Sequence, residues 1–391
     1  MHIITLSELQ FKNYSTLHSK RNYKQSVEYA KLKMENGYTP LYLGLIDEMN
    51  NVHAATLILE KKINNKHRYG YVPNGYLLNY YNLDLLKCFT TELKAYLKKL
   101  NYIYLRINPL INYQVYDSDF ILKENNSGII KEFEKLGYDF IPNTAKYKMV
   151  LKATDIKSTY QNFKRSLRRN INNCLKKGIT VYQGTEKDKQ DFLNLVENKD
   201  RYQKMMELFT NKNNKFEFYL AKIMPETYIN NYRYLIKKEQ LNNERLNQKL
   251  KNPRVQKTKN LLERKMTSDH LLTTYNNELI AGTAILKKYP QSIVISGVGI
   301  IKNDREVTFI KESYTNEFKN IRSIPMIKWE IIKKLIMEGY HRFDLGTILI
   351  AKNQITKTGY NGNIVEYTNS FDLVINDLLY KFNGFAKKKP K

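Results

Sequence analysis

The chain has 391 residues, 42% hydrophobic and 26% charged, a composition that excludes a disordered protein and a length that suits two domains. Lys and Arg number 65 against 38 Asp and Glu, so the formal net charge is +27, a field that favours polyanions: nucleic acid, an anionic membrane surface or phosphorylated substrates. The two cysteines, Cys88 and Cys174, are far apart and make no metal spacing, no apolar run approaches the roughly 20 residues of a membrane-spanning helix, and the opening residues lack the apolar stretch of a signal peptide, so a soluble protein in a reducing cytoplasm is expected.

In chain order, the pattern predicts a helix over 24–36 that stops at Gly37, then strands over 41–46 and 52–59 joined by a turn at 47–51. An amphipathic helix over 83–100 leads into a strand over 102–107 ending at Asn108-Pro109. A helix over 129–136 is closed by Gly137, and 147–151 is a strand. A similar order follows: a helix over 156–177 ending at Gly178, a strand over 179–182, and helices over 187–201 and 216–224. A strand-turn-strand hairpin is predicted over 271–287 about Asn276-Asn277-Glu278, then a strand over 291–298, a helix over 326–337 and a strand over 341–346. Each half has a hairpin, a helix ending near Gly and a strand ending in a polar turn, which reads as two copies of one α/β module. Residues 228–266 depart from that plan. They are highly charged, with Leu235, Leu241, Leu246 and Leu250 before Asn252-Pro253 and Val255, Leu261, Leu262 and Met266 after it, the pattern of two helices with narrow apolar seams folded into an antiparallel arm.

None of the six histidines stands in a zinc-binding spacing, and the chain has neither a GxSxG elbow nor a Walker loop, which argues against a metal-dependent or covalent enzyme. The stronger feature is basic. Lys164, Arg165, Arg168, Arg169, Lys176 and Lys177 fall between Phe163 and Gly178, over an apolar face made by Leu167 and Ile171. Such a helix suits a phosphate backbone or a pyrophosphate, because guanidinium forks match phosphate oxygens; a solvated face has the same pattern.

The run from Phe163 to Ile171, closing in Lys176-Lys177-Gly178-Ile179, resembles the signature helix of the FemABX family, the peptidoglycan bridge-forming aminoacyltransferases of FemA, FemB, FemX and MurM type. Further resemblances follow in the family's order. They are the first helix from Ser26 to Lys33, the turn Tyr69-Gly70-Tyr71-Val72-Pro73-Asn74-Gly75-Tyr76, the strand end Arg106-Ile107-Asn108-Pro109, the strand end Phe343-Asp344-Leu345-Gly346, and Lys357-Thr358-Gly359-Tyr360-Asn361-Gly362 with Val365-Glu366-Tyr367. They cover essentially the whole chain. Asn74, Asn108 and Thr356 stand where the family often has Arg, Asp and Phe.

The resemblance implies an α+β fold of two acetyltransferase-like (GNAT-like) α/β domains with an inserted antiparallel helical-hairpin arm. Residues 1–150 with 368–391 would form the first, precursor-binding domain, 151–367 the second, and 228–266 the arm. It implies transfer of an amino acid from aminoacyl-tRNA onto an amino group of the stem peptide or growing cross-bridge of a peptidoglycan precursor, lipid-linked such as lipid II or UDP-linked. It implies no cofactor or metal, and a cytoplasmic protein with peripheral contact at the inner membrane face. Residue by residue, Lys357 is implied as catalytic, Lys33, Arg106, Arg201 and Tyr360 as substrate-binding, and Lys164, Arg165, Arg168 and Arg169 as tRNA-binding. The chemistry fits a site without a nucleophile. The tRNA ester is already activated, so the protein must align the amine and stabilise the oxyanion with cations. A side-chain amine with a pKa of about 10.4 must also lose a proton, to the tRNA or to a water. Two other readings are a CoA-dependent N-acyltransferase, for which the Gln/Arg-x-x-Gly-x-Gly/Ala loop is missing, and a non-catalytic RNA-binding protein, for which RNP-like and GxxG motifs are missing.

Overall fold

The computed structural model describes residues 1–142, 146–252, 258–348, 350–351, 354–355 and 358–382. The first part of the chain forms β1 (His2–Thr5), α1 (Glu8–Leu17), α2 (Val27–Met34), β2 (Thr39–Ile46), β3 (Val52–Lys62), β4 (Arg68–Pro73), α3 (Leu83–Lys99) and β5 (Tyr102–Asn108). It continues with β6 (Asn112–Tyr116), β7 (Leu122–Asn125), α4 (Ile129–Lys135), β8 (Tyr138–Ile141) and β9 (Lys146–Lys152). Then come α5 (Ile156–Asn162), α6 (Arg165–Lys176), β10 (Ile179–Gln183), α7 (Lys189–Leu195), α8 (Lys199–Leu208), β11 (Lys215–Ile223), α9 (Pro225–Lys251) and α10 (Lys259–Lys288). The last elements are β12 (Ile293–Lys302), β13 (Val307–Tyr314), α11 (Ile324–Met337), β14 (Arg342–Ile348), β15 (Ile350–Ala351), β16 (Gln354–Ile355), β17 (Asn363–Tyr367), β18 (Ser370–Val374) and α12 (Asp377–Phe382).

The architecture is α+β, with two large sheets and a helical hairpin. The seven-stranded sheet has the order β1-β2-β3-β4-β5-β18-β8, and the nine-stranded sheet β10-β11-β12-β13-β14-β9-β17-β6-β7. The sheets do not divide the chain at one point. The β6–β7 pair is lent forward to the nine-stranded sheet through β17, and β18 returns to the seven-stranded sheet between β5 and β8. Within each sheet one pair is parallel. The β4–β5 ladder runs from Arg68–Tyr102 to Pro73–Asn108, whereas the β13–β14 ladder stops at Thr308–Asp344 although both strands continue.

Local chemistry explains the elements that matter for the site. Helix α3 starts at Asn82, whose side chain accepts from the Leu85 amide, and buries Leu86, Phe89, Leu93 and Leu97 on one face. Each such side chain is worth about 1.5–3 kcal/mol when taken fully out of water. The two sheets share a core. Leu32 and Tyr29 of α2 belong to one apolar cluster with Tyr202 and Met205 of α8 and Phe216 of β11. Glu28 of α2 accepts from the side-chain amide of Asn211 at 2.5 Å, which adds a polar tie across the junction.

Four predicted elements differ. The predicted helix over 216–224 is a strand, β11, through Ile223. Phe216, Phe218 and Leu220 face one core and Tyr219, Ala221 and Ile223 the other, so both faces are apolar and the period of two is hidden. Residues 271–287 form no hairpin but lie within α10, where Tyr275 and Leu279 pack toward the α6 core and Gly282 lies beside Tyr228 and Ile229 of α9. The arm therefore runs past 266 to Lys288, and Asn243 ties its helices by donating to Ser268 at 3.1 Å. The helix over 156–177 is broken at Phe163 and Lys164, where the Lys164 amide donates to the Gly359 carbonyl at 2.8 Å. The helix over 187–201 is likewise two, which puts Arg201 in the first turn of α8 rather than at a helix end.

Candidate active site

A cleft runs between the two sheets as three adjoining cavities. The first, of about 720 Å³, lies between α2 and the start of α8, with Lys33 and Arg201 among its walls. The second, of about 460 Å³, shares Arg201 with it and adds Tyr23, Lys24, Lys148, Thr308 and Lys311. The third, of about 320 Å³, shares Tyr23, Lys148 and Thr308 and ends among Asn22, Asn74, Arg342 and Asp344.

The charges in this cleft fall into two kinds. At its inner end they are paired: the Lys148 ammonium contacts Asp344, and Arg342 Nε donates to Glu306 at 2.9 Å. Burial works against the Lys148 ammonium, but Asp344 outweighs it and raises the lysine's pKa. At the outer end, Lys33 and Arg201 form no ion pair among the described residues. The Lys33 ammonium sits 5.5 Å from the Tyr29 ring centre and the Arg201 guanidinium 5.9 Å from that of Tyr202. Burial and then the Arg201 charge lower the Lys33 pKa below the ordinary lysine value. The half-buried Lys33 ammonium and the exposed Arg201 guanidinium are like charges on one wall, and an anion that bridges them relieves their repulsion.

On the opposite face of the nine-stranded sheet lies another cavity, of about 690 Å³, walled by Leu167 and Asn170 of α6, Phe318, Arg322, the start of α11, and Gly359 and Tyr360. Gly359 packs tightly there: a Cβ would lie 3.0 Å from the Leu167 Cβ. Tyr360 is buried, with its ring against Phe163 at 5.3 Å and its hydroxyl donating to the Pro325 carbonyl at 3.4 Å. Glu312 of β13 lines both this cavity and the middle of the cleft, at the gap where β13 and β14 part. Lys328 of α11 is 1% exposed and holds that carboxylate at 2.6 Å, with a second bond to the Leu345 carbonyl at 2.9 Å.

A further cavity of about 640 Å³ separates α6 from the arm and is walled by Arg169, Lys176, Lys177, Tyr232, Tyr275 and Arg322 among others. Lys177 is paired with Glu278 at 2.7 Å, and Lys176 lies 5.9 Å from the Tyr275 ring centre.

The structure thus brings Lys33 and Arg201 to one cavity and Tyr360 to another. Arg106 stands apart. Its guanidinium donates twice to the fully buried Asp372, both at 2.7 Å, and ties β5 to β18 instead of lining the cleft. Of the basic helix, Arg165 and Arg169 are exposed on one stripe, Lys164 is exposed and paired with Asp119 at 3.2 Å, and Arg168 is half-buried with its Nε out of water. Lys357 lies outside the described residues; the segment that follows it is anchored at Gly359 and Tyr360. Sequence reasoning missed Lys148, Glu312 and Lys328. Lys328 had a readable signal, a lone charge inside the apolar run Met326-Ile327-Lys328-Trp329, and a charge in that setting calls for a buried partner.

Comparison with known proteins agrees from end to end. The FemAB family model matches residues 6–388. The aminoacyltransferase FemA of Staphylococcus epidermidis is 24% identical over 100% of both chains, and that of Staphylococcus aureus (strain MRSA252) 23% identical over 99% of both. The crystal structure of FemX superposes with a TM-score of 0.70 at 15% identity, covering 98% of this chain and 99% of that one, a likeness of fold. Among the described residues no helix is long and apolar enough to cross a membrane.

Proposed function

The chain belongs to the FemAB family, and we propose that it is an aminoacyltransferase that moves an amino acid from a charged tRNA onto an amino group of a peptidoglycan precursor such as lipid II. The observation that carries this reading, beside the family, is the pair Lys33 and Arg201 at the mouth of a cleft whose inner cations, Lys148 and Arg342, are each held by a carboxylate. Such a pair suits the diphosphate of a lipid-linked or UDP-linked precursor, whose peptide then lies along the cleft toward Lys148 and Asp344. On this reading 1–150 with 368–391 supply most of the precursor side, 151–367 supply the tRNA side, and 228–266 belong to the arm.

The aminoacyl end of the tRNA enters the cavity between α6 and α11, with Tyr360 in its wall. Exposed Arg165 and Arg169, with half-buried Lys176 in the wall that faces the arm, take the tRNA phosphates. Donor and acceptor meet at the gap between β13 and β14. There the amine attacks the ester carbonyl, the amide C–N bond forms, the ester C–O bond breaks, and the proton lost by the amine ends on the released ribose hydroxyl. Aligning the two reactants supplies much of the rate, and cations beside the oxyanion supply more. Lys357 takes the latter role by its place in the family motif. A protein that binds a lipid-linked precursor works at the inner face of the membrane by peripheral contact.

The test is transfer of radiolabelled amino acid from total charged tRNA to lipid II by the purified chain, with label expected in the lipid fraction. Label that appears only from acyl-CoA, or transfer to no precursor, would overturn the reading.

A further inference from the structure

Resting on that reading, we infer that Glu312 is the group that recognises the α-ammonium of the incoming aminoacyl ester. The inference begins with a charge out of place. Glu312 is the only carboxylate in the walls of the donor cavity and the only one in the middle of the cleft, among the described residues of a strongly basic chain. Its position is made by two features of β13. The ladder to β14 ends at Thr308, and the ladder to β12 shifts register between Phe309 and Lys311. That shift leaves Ile310 as an extra residue and turns Glu312 to the α11 side of the sheet, the side of Phe309.

On that side Lys328 holds it. The lysine is buried, spans 2.6 Å to Glu312 and 2.9 Å to the Leu345 carbonyl, and lies 5.2 Å from the Phe309 ring centre. A carboxylate has about four acceptor positions and so takes several donors at once, an ammonium among them. The ester carbonyl of an aminoacyl-tRNA is one carbon away from its ammonium. Fixing the ammonium at Glu312 while the ribose end lies in the donor cavity places that carbonyl in the opening, facing the acceptor.

The experiment compares two donors on the same tRNA: the aminoacyl ester, and the 2-hydroxyacyl ester made from it by deamination, nearly isosteric but uncharged. The wild-type chain should use the hydroxyacyl donor about tenfold less efficiently in kcat/KM, the scale of one charge-assisted hydrogen bond. Glu312→Gln should narrow that preference to about twofold by losing activity with the natural donor, and Glu312→Asp should keep it. Because Glu312→Gln removes the Glu312 charge beside the buried Lys328, the double variant Glu312→Gln/Lys328→Met is measured beside it and should show the same narrowing. Equal use of both donors by the wild-type chain overturns the inference, as does a preference kept by the Gln variants. A raised KM for the precursor with donor preference intact also overturns it, by moving Glu312 to the acceptor amine. Transfer from neither donor is a different result, since it rejects the aminoacyltransferase reading itself.

Discussion

Lys33 on α2 and Arg201 on the first turn of α8 line one cavity from opposite sides of the junction between the sheets, and neither has a carboxylate partner among the described residues. Burial and then Arg201 lower the Lys33 pKa, so the folded chain bears an electrostatic cost that a bound anion removes. Lys33→Ala and Arg201→Ala should each raise the KM for the precursor about tenfold, the scale of one charge-assisted bond, with little change in melting temperature. A KM that stays within twofold in both variants would place the diphosphate elsewhere.

The same pair sets a pH dependence. Because the Lys33 pKa is lowered from 10.5, its penalty on stability is present while it is protonated and is relieved as pH rises through the lowered value. Binding has the opposite sign, since the precursor needs the ammonium. Precursor affinity should therefore begin to fall at a lower pH than an ordinary lysine would give, and Lys33→Arg should remove that alkaline limb. Titrations of precursor binding against pH on both proteins decide it.

On α6, Arg165 and Arg169 are exposed on one stripe while Arg168 is half-buried. Arg165→Ala/Arg169→Ala should weaken tRNA binding and flatten the plot of log affinity against log salt by about 1.4–1.8, as two phosphate contacts are lost. Arg168→Ala should instead lower the melting temperature and leave the slope in place. Identical slopes for wild type and the double variant would move the tRNA off this stripe.

The arm has a root and a tip. At the root, Lys177 pairs with Glu278 at 2.7 Å, and Asn231 donates to the Lys176 carbonyl at 3.2 Å. Replacing 239–269 by a short loop keeps these contacts and should leave one cooperative melt with reduced tRNA affinity, whereas excising 231–265 should lower the main transition. Calorimetry on both deletions separates the two regions.

Lys357→Ala should cut turnover at saturating substrates, and Lys357→Arg should recover only part of it, because a planar fork does not reproduce a compact ammonium. Full activity of the Ala variant would remove Lys357 from the chemistry.

The sequence by itself determined the family, through weak motifs in the right order, together with the basic helix and the presence of an arm. Each of these is local, carried by neighbouring residues or by a period of 3.6 that one exposed face makes visible. It misplaced β11 because both faces of that strand are buried, and it read 271–287 as a hairpin because Asn276-Asn277 resembles a turn until the α9 partner is in place. Only the tertiary structure decided which charges act together. Strand exchange between the sheets took Arg106 to Asp372, helix packing brought Lys33 to Arg201, and a register shift in β13 carried Glu312 to Lys328. Those pairings depend on long-range register and packing, where one residue of slip moves a side chain to the other face, and no local pattern encodes them.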